Sequence, residues 1–380
     1  MACLGGKMRG NAKRSATRRV RAVLSATVVA CAVTAVLPGA ASAEPMTVPG
    51  LASDSGAGVE RISVAPDGTQ GDGDSAGATI TTDGRRIAFS SSAKNLTPSN
   101  PGTSATVFVR DQRTSQTRLM STNAAQIQPP VISGDGQYVA LWGLRFRDTK
   151  VFLSQVSSGS TISINCSGLS CSQPSLSADG RYITHVATFT RPPSRQRIEV
   201  RDWNADTTQI VAEFGHPVSA RPSISGDGRF VAYQDGLAED VFVWDRTDDT
   251  SSGPIEGPSK AATLVQISKD GSKVVYLSGS DTYVHDESSG TDQLVPNVRG
   301  VAIDPTGRYL LYAPHDTNGP SLMLRDLETG TDEIVSNQLA TAGTDSVSAA
   351  GRDVVFHSTA DDIVPGDTNG KSDVFIRRFY

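Results

Sequence analysis

PSISGDGRFVAY, residues 222–233, reads as a strand, a tight turn and a second strand. Ser223 to Ser225 alternate polar and apolar, and Phe230, Val231 and Tyr233 resume a β-rich run. Gly226 and Asp227 suit the central positions of a type I turn. Gly228 supplies the left-handed conformation that rejoins the strands as a bulged hairpin. One such hairpin is commonplace. This one recurs along the whole chain, and the recurrence predicts the fold.

Related segments are ITTDGRRIAF at Gly84, VISGDGQYVAL at Gly136, PSLSADGRYITH at Gly180, VQISKDGSKVVY at Gly271, VAIDPTGRYLLY at Gly307 and VSAAGRDVVF at Gly351. Successive turn glycines are 36 to 52 residues apart. That period, with several short strands per unit, is the signature of a propeller rather than a sandwich. The sixth copy has Asp304-Pro305-Thr306-Gly307, where Pro305 presets the backbone angle of the second turn position. The seventh, Ala349-Ala350-Gly351, has the weakest turn chemistry. A second hairpin follows in most units, as in TVFVRDQRTSQTRLMS and LMLRDLETGTDEIVS. Two hairpins make four strands, or one blade. The expected fold is therefore all-β: a seven-bladed β-propeller of four-stranded antiparallel blades.

The chain ends predict how the ring closes. The last unit stops after its third strand, DVFIRRFY, while an orphan strand, VERISV, stands at residues 59–64 ahead of the first unit. The N-terminal strand is expected to close the last blade, leaving no open sheet edge.

Residues 1–43 read as a signal peptide. Seven basic residues up to Arg21 precede an apolar run from Ala22 to Leu37, then Pro38-Gly39 and Ala41-Ser42-Ala43. The alternative is an uncleaved anchor, for which the apolar run is short. Residues 44–58 form a flexible leader and 59–380 the propeller domain. A secreted or cell-envelope location is expected, with no membrane span after cleavage. The chain carries 35 basic and 40 acidic residues, formally −5; loss of the signal peptide makes it more acidic. A nucleic-acid partner is therefore not expected. Cys166 and Cys171 remain after signal removal, and in an exported chain they predict a disulfide.

A four-stranded meander separates two faces. Turns after the first and third strands, here short and regular, lie at one end. The longer, irregular loops lie at the other, and function on rigid scaffolds concentrates in such loops. The repeated P-S-Φ-S-x-D-G-R-x-Φ-A-Y unit (Φ apolar) resembles the WD40-like (PD40) repeat of TolB-like β-propellers, over residues 59–380. The chain is similar to the propeller-only exported proteins of that group. The resemblance implies binding or scaffolding and no assigned catalytic residues.

Several constellations remain as candidate sites. Asp83, Asp135, Asp179, Asp227 and Asp270 recur at the turns, as caps or as a carboxylate ring. Asp367, Asn369 and Asp373 space oxygen ligands like a fragment of a calcium loop; a plain Asx turn is the other reading, and no other cofactor is expected. Arg145, Arg147 and Arg191, with Lys150, Arg195 and Arg197, fall in the loops after the second strands of units two and three, where they could capture an anion. Gln128, Gln173, Arg221 and Arg299 precede innermost strands and could ring the channel mouth. No Ser-His-Asp arrangement with a nucleophile elbow appears among the five histidines. The expected function is a monomeric binding or scaffold protein that recognises a protein, peptide or cell-envelope glycan through its irregular face. The alternative is a glycan-processing lyase or hydrolase with its site at the channel mouth.

Overall fold

The turn at 225–228 shows how the repeat builds each blade. Gly228 adopts φ +73° and its N–H donates to the Ser225 carbonyl (3.1 Å). The Ser225 hydroxyl donates to Asp227 and accepts the Phe230 N–H (2.9 Å), while Asp227 accepts the Arg229 N–H (2.9 Å). The same bonds form around Asp83, Asp135, Asp179 and Asp270. These five aspartates are turn caps. In the sixth unit Asp304 takes the serine's place and accepts the N–H groups of Thr306, Arg308 and Tyr309.

The computed structural model describes residues 58–98, 106–120 and 128–379. The expected signal peptide, the leader up to residue 57, residues 99–105 and 121–127, and Tyr380 lie outside the described residues.

The expected architecture is present, with strands running in sequence order through each blade. Blade 1 comprises Ser75–Ile80, Arg86–Ser91, Thr106–Asp111 and Gln116–Met120. Blade 2 comprises Val131–Ile132, Tyr138–Arg145, Asp148–Gln155 and Thr161–Ser163. Blade 3 comprises Ser170–Leu176, Tyr182–Phe189, Arg195–Asp202 and Thr207–Phe214. Blade 4 comprises Ser223–Ile224, Phe230–Asp235, Asp240–Asp245 and Thr250–Ile255. Blade 5 comprises Thr263–Ile267, Lys273–Ser278, Asp281–Asp286 and Thr291–Val295. Blade 6 comprises Val298–Ile303, Tyr309–Pro314, Leu322–Asp326 and Asp332–Ser336. Blade 7 orders Asp353–Ser358, Asp373–Arg378 and Val59–Arg61, and its innermost segment pairs only through bridges at Thr341 and Val347.

The orphan strand does close the ring. Val59, Glu60 and Arg61 pair antiparallel with Arg377, Ile376 and Phe375, and the Ile62 N–H continues the ladder to the Val374 carbonyl (2.7 Å).

Among the described residues the buried apolar side chains sort into seven clusters, one between each pair of neighbouring blades. Second strands show why. Val231 and Tyr233 face blade 3 while Ala232 faces blade 5; Val274 and Tyr276 face blade 4 while Val275 faces blade 6. A strand buried on both faces reads as a continuous apolar run, which explains FVAY and VVY.

Two hydrogen-bonded belts tie the blades near the axis. On the Asp-Gly side, turn meets turn all the way round. The N–H groups of Ala349, Thr82, Asp135, Ala178, Gly226 and Asp270 reach the carbonyls of Thr82, Gly134, Ala178, Gly226, Lys269 and Pro305; Ala350 N–H to Asp304 Oδ2 completes the circuit. Deeper in, an inner-strand N–H in each of four blades meets a side chain of the blade before. Ile132 uses Thr79, Ile224 uses Ser175, Ile267 uses Ser223 and Ile303 uses Gln266. The first serine of P-S-Φ-S is thus an inter-blade link. These belts hold the blades together at the turn side of the axis.

Candidate functional site

The axis carries a polar knot on the loop side of the belts. Asp345 sits at the sequence position where other repeats carry Pro222, Pro174, Val265 or Val301. It adopts φ +60° and is nearly buried. Its carboxylate lies 2.7 Å from Arg221 of blade 4 and 3.2 Å from Lys269 of blade 5, and accepts the Gln266 amide (3.2 Å). Its carbonyl accepts the Ile80 N–H of blade 1 (2.9 Å). Lys269 Nζ also donates to the Leu176 carbonyl of blade 3 (3.1 Å). One residue therefore joins blades 1, 4, 5 and 7, its carboxylate reaching blades 4 and 5 and its carbonyl blade 1. Burial pushes its carboxyl up, but the charges of Lys269 and Arg221 more than reverse this and leave it below the usual carboxylate range.

Above the knot opens a cleft of about 600 Å³ bordered by blades 4 to 7. It exists because blade 7 departs from the repeat. Its innermost segment leaves the ladder between its two bridges, and Ala342 and Gly343 there, with Ala340 just before them, have little side chain. Arg221 and Arg299 both line this cleft, over Leu264, Val265 and Val301. Two of the four channel-mouth candidates thus come together. Gln128 instead donates its backbone N–H to the Trp142 carbonyl (2.9 Å). Gln173 occupies a bulge of the first strand of blade 3 at φ +55°. Neither lines the cleft.

The candidate basic rim divides. Arg195 and Arg197 both face Glu213 and stack over Phe189, so their charge is largely answered. Lys150 donates to the Leu169 carbonyl (2.7 Å). Arg145 stacks on Phe146, while Arg147 and Arg191 are exposed.

At the candidate calcium segment, Arg61 lies 2.8 Å from Asp367 and 3.4 Å from Asp373, all three side chains being buried. Asp373 also accepts from Ser63 and from the Asn369 amide (2.8 Å). Among the described residues no three His, Cys, Asp or Glu side chains group to hold a metal ion.

Cys166 and Cys171 form the expected disulfide. Its loop presents Ser167, whose N–H (3.2 Å) and hydroxyl both reach the buried Glu199; His185 Nε2 lies 3.3 Å away on the other side. The carboxylate stands between serine and histidine, so this is not a nucleophile–base–orienter arrangement. It secures the loop.

Exposed large apolar residues distinguish the faces. Phe146 (90% exposed), Leu237 (78%), Leu339 (78%) and Leu169 (50%) lie in loops, all on the irregular face. The others, Ile162, Ile210, Leu294 and Ile334, lie on outermost strands. Among the described residues none lies in the Asp-Gly turns.

No family model matches the sequence, and no curated protein matches it. Solved structures do resemble the fold. An oligogalacturonate lyase in complex with manganese has a TM-score of 0.63 at 12% identity, over 86% of this chain and 94% of that one. The oligogalacturonate lyase of Vibrio parahaemolyticus gives 0.61 at 11%, over 86% and 95%. TolB from Acinetobacter baumannii gives 0.47 at 16%, over 68% and 62%. At these identities the likeness is one of fold.

Proposed function

We propose that the protein is an exported, non-catalytic binding propeller whose irregular loop face docks a protein partner. The observation that carries this reading is that, among the described residues, the exposed loop-borne large apolar side chains, Phe146, Leu169, Leu237 and Leu339, all lie on that face. Exposed apolar groups gathered on one side of a rigid scaffold mark interaction surfaces. The disulfide between Cys166 and Cys171 is consistent with an oxidising compartment.

The glycan-lyase reading receives less support. The manganese bound by the first lyase would require converging histidine or carboxylate donors, and among the described residues no such group of three exists. The residues present therefore do not fit that ion. The side chains lining the channel-mouth cleft include no Asp, Glu, His, Lys, Tyr or Cys, so proton transfer has no candidate group there.

The test is affinity capture from cell-envelope extract, comparing the wild-type chain with a Phe146→Asp/Leu237→Asp double variant and a Thr247→Asp control on the turn face. A partner retained by wild type and control but lost by the double variant supports the reading. Identical capture by all three rejects it.

A further inference from the structure

The cleft over blades 4 to 7 has an electrostatic imbalance. Arg221 is already engaged by Asp345 and Thr344. Arg299 is exposed, and its side chain makes no ion pair, hydrogen bond or ring contact among the described residues. Lys269 adds a second cation against the single carboxylate of Asp345 beneath the cleft floor. Three cations thus stand in or beneath the cleft with one carboxylate among them, in a chain whose formal charge is −5. No acidic side chain lines the cleft. The group that would balance it is an anion, and Arg299 is the residue free to receive it.

The floor specifies more than charge. Val265 and Val301 are the extra residues of matching bulges in the innermost strands of blades 5 and 6, where the pairing slips between Leu264 and Gln266 and between Gly300 and Ala302. A bulge leaves its extra residue outside the ladder. Both residues line the cleft, so its floor combines bulged backbone with aliphatic side chains. A volume of about 600 Å³ exceeds what one short acid fills.

We propose that this cleft receives the free C-terminus of a peptide chain whose last residues are aliphatic. The terminal carboxylate pairs with Arg299, peptide groups meet the bulged backbone, and the side chains rest on Leu264, Val265 and Val301. This rests on the reading of the loop face as a docking surface and names one part of what docks there. Capture of a C-terminal carboxylate by a preformed donor site is an established mode of peptide recognition.

The test is calorimetric titration of the full chain with N-acetyl-alanyl-valyl-leucine as free acid and as amide. The acid binds, and the amide binds at least about tenfold more weakly, because a charge-assisted bond is lost. Arg299→Gln reduces the acid to the level of the amide without altering Tm, and Arg299→Lys restores part of the difference. Equal binding of acid and amide, no binding of either, or wild-type affinity in Arg299→Gln overturns the proposal. So does 4-methylpentanoate binding as tightly as the peptide acid, or trigalacturonate binding more tightly. Those failures would leave the dependence of partner capture on Phe146 and Leu237 untouched, so the two readings stand or fall separately.

Discussion

Arg61 lies 2.8 Å from Asp367, and its guanidinium also faces Asp373 at 3.4 Å. The first strand of the chain is thereby fastened to its last loop and last strand. The positive charge beside these carboxylates comes from the closing strand itself. Ser63, two residues on, adds a hydroxyl to Asp373. Closure thus combines a short ladder with a buried charge cluster, whose geometry depends on the strand being seated.

Arg61→Met removes the cation and leaves two buried carboxylates facing each other. Breaking a buried pair in this way costs about 3–5 kcal/mol. A clear fall in urea midpoint is expected, with early proteolysis at the N-terminal strand. Millimolar calcium should leave the wild-type Tm unchanged, since Arg61 occupies the space between the acids. A calcium-dependent rise in wild-type Tm would show that the arginine yields to the ion.

The Asp-Gly belt predicts a positional sensitivity that composition would not. A Cβ added to Gly226 would stand 2.8 Å from the Lys269 carbonyl, and Gly226 donates the belt bond to that same oxygen. Gly226→Ala should therefore destabilise by roughly 1–3 kcal/mol. Gly159→Ala has open space around its Cβ and no belt bond, so its cost is confined to its positive φ. Denaturant titration of both variants checks this; an equal or larger loss for Gly159→Ala would remove the belt from the account of stability.

The aspartates that end the third strands predict an acid limit. The Arg308 guanidinium holds the Asp326 carboxyl down to about 2. At Asp111, partial burial pushes upward, but bonds from Arg85 and Arg86 prevail and bring it to about 2. Asp245 is also lowered, by Arg229 first. A carboxyl whose folded value is depressed stabilises the fold above its unfolded value, near 4, and loses that contribution as pH falls toward 2. Tm should therefore hold between pH 7 and 5 and decline steadily below 4. Asp326→Asn keeps the turn-capping oxygen but removes the titration, so its Tm should be lower at pH 6 and its decline below pH 4 shallower. A parallel decline in both proteins would dissociate these pairs from the acid transition.

The repeat, the blade count and the closing strand were legible because each is local chemistry. Ser, Asp and Gly at fixed offsets make the turn regardless of what surrounds them, and an orphan strand ahead of a unit short by one has one obvious place to go. The channel knot was less legible. Asp345 meets residues 79 and 124 positions away, and only ring closure brings them together. A signal did exist: Asp345 and Lys269 each put charge where the other repeats place Pro, Val, Gly, Ala or Thr. The basic rim shows the opposite limit. Arg195 and Arg197 read as free cations in sequence, yet alternation along a strand sets both on the side of Glu213, which the neighbouring strand supplies.

The knot itself yields an ordering of variants. Lys269 and Arg221 share Asp345, so its loss and the loss of one cation are not equivalent. Asp345→Asn leaves two cations near the axis with no carboxylate between them, and both their like-charge repulsion and their desolvation go uncompensated. Lys269→Met leaves Arg221 and Asp345 as a balanced pair, and the lysine's apolar stem is replaced in kind. Asp345→Asn is therefore expected to cost about 3–5 kcal/mol and Lys269→Met markedly less. The double variant should cost less than the sum, because removing the lysine relieves part of what the aspartate's absence exposes. Urea unfolding of the two single variants and the double variant measures this coupling. Strict additivity, or a larger loss for Lys269→Met, would mean that Asp345 holds the four blades through its backbone carbonyl and turn geometry and that its charge is incidental.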